Sequence, residues 1–165
     1  MTPRPHPIFR TRHAICIIAT LLLAFTGAAT CASTNTTTPQ DTSAVRAVEL
    51  DMNLVDRLGA VSREALPQLD GQDSVLYLLD SKGQPKSVAQ LVDDINETPV
   101  LAAAVGKQGF TPREYVLATL AIINAYTIVA TGGDGTSQGA AAGSNPDHVR
   151  FVKTHLDQIR SVLSQ

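Results

Sequence analysis

The stretch ATGGDGTSQGAAAGSNPD, at 130–147, holds five glycines, and its first acid, Asp134, stands alone until Asp147. Glycine-rich turns cradle phosphates when a strand leads in and a helix N-terminus comes directly after. Here an apolar helical pattern precedes the glycines, the spacing Gly133-x-Gly135-x-x-x-Gly139 departs from the phosphate motifs, and no Gly-Lys-Ser/Thr comes after it. A calcium loop needs several carboxylates at alternating positions. The single GGDG copy also lacks the stacked repeats on which glycine-rich calcium sites are built. Glycine, serine, alanine and glutamine bury little surface, so the composition predicts a flexible internal linker over 132–144.

The remaining reactive side chains do not converge either. His148 and His155 lie seven residues apart, two helical turns and about 10 Å, which is too far for one metal ion to bridge unaided. The pattern places both on a solvated face. Asp93, Asp94 and Glu97 offer carboxylates for acid–base work or cation binding, yet adjacent helical positions diverge and Asp93 and Glu97 form a like-charge i, i+4 pair. An exposed acidic face accounts for them. No serine sits in a Gly-x-Ser-x-Gly elbow. The sequence therefore assigns no catalytic residue, no metal ligand and no cofactor. The polar residue that stands out is Asn124, inside an apolar helix with Tyr115 and Tyr126 on nearby turns. A buried amide must be hydrogen-bonded, either to a neighbouring backbone carbonyl or to a ligand in a pocket beside those tyrosines.

The elements that carry these residues read as helices. An amphipathic pattern over 43–66 sets Val48, Met52, Val55, Leu58 and Val61 against a polar stripe. Asp41, Thr42 and Ser43 are available as N-caps, and Pro67 ends the helix. The apolar run 75–79 fits a strand or a short buried helix, and with no second strand in the chain a helical turn or extended plug is expected. Ser87 caps a helix through Glu97, and Thr98-Pro99 opens another that Gly109 closes. Thr111, Pro112 and Glu114 form a capping box at the head of an almost uniformly apolar helix, which Gly132 ends. Thr119, Asn124 and Thr127 interrupt that helix and it is short for a membrane span, so it is expected at the centre of the core. Ala118, Ala121 and Ala125 give it one small-residue face. Asn145 and Pro146 start the last helix, whose seam of Val149, Val152, Leu156, Ile159 and Leu163 is expected to dock on the central one.

The first thirty residues read differently. Arg4, Arg10 and Arg12 precede the apolar run AICIIATLLLAF and the small-residue stretch TGAATCAS, the three parts of a secretory signal peptide. Two fates remain open for the chain beyond this leader: cleavage near 27–30 to release a soluble protein, or lipidation of Cys31 as in bacterial lipoproteins, with 31–43 as a polar tether. Cys16 leaves with the leader, so the mature chain holds at most Cys31 and forms no internal disulfide. Loss of the three leader arginines takes the formal charge from −2 to −5. Residues 41–97 hold eleven acids against five bases, and no basic cluster appears elsewhere. This balance argues against nucleic acid.

GFTPREYVLATLAIINAY and NPDHVRFVKTHLDQI look similar to stretches in small, exported, uncharacterised helical proteins of Gram-negative bacteria. The likeness covers about the C-terminal half and implies a bacterial origin and a helical fold, with no activity or site to transfer. Together the residues and the resemblance predict an all-α domain at 44–165. It is a small bundle of about five helices around an apolar central one, behind a leader (1–30) and a tether (31–43). The expected function is a non-enzymatic binding module of the cell envelope that uses a helical groove to engage an envelope protein. The first alternative is a periplasmic carrier of a small apolar ligand beside Asn124, Tyr115 and Tyr126, and the last is an enzyme with a dispersed site. Membrane contact is expected only through a lipid on Cys31.

Overall fold

The computed structural model describes residues 39–69, 76–133 and 144–163, and there the chain is all-α. Seven helices succeed one another among the described residues: α1 (Pro39–Arg46), α2 (Met52–Ala65), α3 (Val88–Glu97), α4 (Pro99–Lys107), α5 (Pro112–Ala130), α6 (Pro146–Thr154) and α7 (Leu156–Leu163). A 3₁₀ turn, Leu66–Gln68, closes α2. The leader, Cys31 and most of the expected tether, Val75, and 134–143 of the glycine-rich stretch lie outside the described residues.

Local chemistry sets the middle of the chain. Ser87 and Gln90 form a reciprocal capping box on α3, and Thr111 and Glu114 form another on α5. Each satisfies N–H groups that a helix start leaves without partners. Two glycines end helices in left-handed geometry. After Gly109 (φ +73°) the Phe110 N–H reaches the Val105 carbonyl at 3.2 Å. After Gly132 (φ +76°) the Gly133 N–H reaches the Ile128 carbonyl at 2.8 Å. Both are six-to-one closures of the kind glycine permits at no steric cost. Gly132 and Gly133 thus belong to the end of α5.

Helix α5 is the centre of the core. It packs against α1, α2, α3, α4 and α6, and its alanine face (Ala118, Ala121, Ala125) is buried. Its own Val116 is fully buried, as are Val55, Val61, Ile95, Val105 and Ile159 around it, each contributing roughly 1.5–3 kcal/mol by leaving water. No helix among the described residues is long and apolar enough to cross a membrane.

The two ends of the domain differ from the sequence expectation in the same way: each expected helix is broken in two. The pattern at 43–66 divides between α1 and α2, and α1 starts at Pro39, inside the stretch expected as tether. The Asp51 carboxylate accepts the Leu54 N–H at 2.6 Å and starts a new helix. Carbonyls released between the two helices are taken by distant partners. The Asn145 amide donates to the Arg46 carbonyl at 2.8 Å, and His148 Nε2 lies 2.6 Å from the Val48 carbonyl. Asp41 is held by Arg113 at 2.9 Å.

At the other end His155 leaves helical geometry (φ −113°, ψ 21°) between α6 and α7. The Thr154 hydroxyl donates back to the Arg150 carbonyl at 2.9 Å, an arrangement that bends helices. The bend lets the seam change partner: α6 packs on α5 and α7 packs on α2. Gly59 of α2 lies directly against Val162 of α7, with no room for a side chain. The expected docking on the central helix therefore holds for α6, whereas α7 packs mainly on α2 and meets α5 through Arg160 and Tyr126.

Candidate functional site

The apolar run at 76–79 is extended rather than helical, with Leu76 in the core, and it is the first arm of a small hairpin. The Lys86 N–H donates to the Leu78 carbonyl and the Asp80 N–H to the Gln84 carbonyl, both at 2.8 Å, flanking an antiparallel bridge between Leu79 and Pro85. The turn is stapled by Asp80, whose carboxylate accepts the N–H groups of Lys82 and Gln84 at 2.8 Å each. Those two bonds hold the Asp80 carboxyl below its ordinary pKa. Gly83 (φ +74°) supplies the left-handed residue.

Side chains alternate along this arm. Leu76 is buried, and Leu78 packs against the core. Tyr77 and Leu79 are 50% and 55% exposed, the two large hydrophobics so placed among the described residues. Beside them opens a cleft of about 310 Å³ lined by Leu69, Leu76, Tyr77, Lys86, Glu97 and Leu101, among others. Lys86 crosses it to Asp94 at 2.7 Å. Glu97 is exposed and has no ion-pair partner among the described residues. Of the acidic face expected on α3, Asp93 and Glu97 are exposed and Asp94 anchors the hairpin instead.

A second cleft, of about 290 Å³, lies between the start of α2 and the start of α5, with Val48, Leu54, Phe110 and Leu117 in its walls. Its charged groups are committed to the chain itself. Arg57 Nε donates to the Gln108 carbonyl at 2.8 Å, and the guanidinium carbon sits 4.0 Å from the Phe110 ring centroid. Glu114 is engaged by Thr111, whose N–H and hydroxyl hold its carboxyl below the ordinary range.

The three residues singled out as ligand-facing do not meet. Tyr115 is 2% exposed, and its hydroxyl is hydrogen-bonded with Ser62 and Thr119, burial pushing its pKa up to about 12. Tyr126 is partly buried and accepts a hydrogen bond from Arg160 Nε at 3.2 Å. Asn124 is only half-buried. None of the three lines either cleft. Along a helix of 19 residues, positions 115 and 126 fall on one face about 16 Å apart, and position 124 falls on the opposite face.

His148 also departs from expectation. It is 4% exposed, not solvated, and because a carbonyl only accepts, the Nε2 facing Val48 carries the proton. His155 stacks on Phe151 with centroids 4.8 Å apart. No group of three histidine, cysteine or acidic side chains is placed to hold a metal among the described residues.

The hairpin face was hidden because an uninterrupted apolar run shows no period of two. The signal that points to it is the next segment, DSKGQP, with aspartate opening a turn and glycine at its fourth position. Compared with family models, with curated proteins and with solved structures, the chain has no match.

Proposed function

We propose that this chain is an exported, non-enzymatic interaction module of the bacterial cell envelope, with the hairpin at 76–86 and its adjoining cleft as the contact surface. The observation that carries the reading is the pair Tyr77 and Leu79, at 50% and 55% exposure on one extended arm, with Tyr77 also lining the cleft. Large apolar side chains grouped on a surface that is otherwise polar mark interaction sites. The surface is a hairpin edge rather than the helical groove expected from the sequence. Export rests on the leader, and Cys31 is the candidate anchor that would hold the module at the outer membrane. The resemblance of the C-terminal half to exported bacterial proteins supports the same compartment.

A photo-activated cross-linking residue at position 77 tests the reading in a Gram-negative host, with the same residue at exposed position 153 as control. The expected result is one discrete adduct of higher mass from position 77 and none from 153. Equal labelling at both positions, or none at 77, overturns the proposal.

A further inference from the structure

We infer that the hairpin recruits its partner by strand addition, taking an extended polypeptide segment that alternates apolar and basic side chains. The inference rests on the reading of the hairpin as the contact surface and adds the mode and the chemistry of the partner that binds there.

The backbone supplies the first argument. In an antiparallel pair, residues that turn their N–H and C=O groups inward alternate with residues that turn them outward. Leu78 and Asp80 bond across to 84–86, so the backbone groups of Leu79 face the opposite way. By the same parity so do those of Tyr77, two residues earlier. Neither residue has a backbone hydrogen-bond partner among the described residues. An edge of this kind is a template for another strand.

The two edges of the hairpin are not alike. The far arm carries Pro85 opposite Leu79, and proline has no N–H to offer, which blunts that edge. The Tyr77–Leu79 edge carries neither proline nor lysine, the usual guards of an exposed strand. A two-stranded ribbon is also marginal alone, so a third strand completes it.

Charge selects the occupant. The cation in the cleft, Lys86, is neutralised by Asp94 at 2.7 Å. Glu97 lines the same cleft with its carboxylate uncommitted among the described residues. An incoming strand therefore meets exposed apolar side chains at Tyr77 and Leu79 and one free negative charge. Apolar residues alternating with lysine or arginine match that surface. A second copy of the chain would bring Glu97 with it and fits the charge less well.

The test is selection of phage-displayed random octapeptides on the full exported chain, followed by hydrogen exchange with the synthetic peptide that is enriched. Enriched sequences are expected to alternate apolar with basic residues and to slow exchange of the Leu79 amide by about tenfold or more. Leu79→Pro, which removes the outward N–H, is expected to bind about tenfold more weakly than Leu79→Ala, which keeps it. The exchange readout needs no variant and stands if Leu79→Pro fails to fold. Helix-periodic or acidic peptides, no enrichment, or peptides that leave the Leu79 amide unprotected overturn strand addition. So does concentration-dependent protection of that amide without peptide, which would assign the edge to a second copy. A cross-link at position 77 combined with an unprotected amide would keep the contact surface and discard the strand.

Discussion

The bundle around α5 and the hairpin at 76–86 treat their polar groups in opposite ways. In the bundle, groups taken out of water find partners within the chain. Tyr115 meets Ser62 and Thr119, His148 meets the Val48 carbonyl, and Arg57 meets the Gln108 carbonyl. On the hairpin, the outer backbone edge at Leu79 has no partner among the described residues, and the two most exposed large hydrophobics flank it. A buried group without a partner costs about 1–3 kcal/mol, so a fold tolerates few of them. An exposed edge costs the monomer little and remains available to something else. The contrast separates the two regions: stability resides in the helical core, and the hairpin is the surface proposed for recognition.

That division can be attacked from the core side first. The Tyr115 pKa is raised to about 12 in the folded protein against about 10 in the unfolded chain. The phenol must stay neutral to remain buried. Its contribution is complete below pH 10 and is lost as the pH climbs from 10 towards 12, because the unfolded state ionises first. Urea unfolding across that window is expected to lose about 2–3 kcal/mol. Tyr115→Phe, which cannot ionise, should flatten that part of the pH dependence. An unchanged slope in the variant would show that the buried hydroxyl is not its source.

A smaller effect is expected from His148→Ala. The substitution strands the Val48 carbonyl between α1 and α2 and opens a gap beside α6. Chemical denaturation should show a loss of about 1–3 kcal/mol. A variant as stable as the parent would mean that water replaces the imidazole and that the break at 47–51 does not depend on it.

How far these features could be read from the sequence depends on the distance over which each is determined. Helices α3, α4 and α5 were legible with their ends, because Ser87, Thr98-Pro99, Thr111-Glu114, Gly109 and Gly132 act within one turn of themselves. The central place of α5 was legible as well, since a helix apolar on most sides must be surrounded. The breaks at 47–51 and at His155 were not. The partners that take up the free carbonyls, Asn145 and His148, lie 99 and 100 residues from Arg46 and Val48. No local pattern reports such pairings. The same limit applies to the residues singled out on α5. Asn124, Tyr115 and Tyr126 drew attention as polar atoms in an apolar helix, yet their surroundings depend on which neighbour covers each face. The aspartate and glycine of the 80–85 turn were a local signal, and the unbroken apolar run before them masked the alternation that makes Tyr77 and Leu79 a surface.

The hairpin is where the smallest change in stability and the largest change in association should coincide. Removing Tyr77 and Leu79 together by alanine substitution should alter unfolding free energy by no more than about 0.5 kcal/mol, as at surface positions away from a packed core. The most direct test of the account is the size of this double variant and its parent in envelope extracts, measured by native gel filtration beside their unfolding curves. The account expects the parent in a complex larger than one chain, and the variant released at monomer size with its stability intact. A parent already at monomer size, or a variant that keeps the complex, would contradict it.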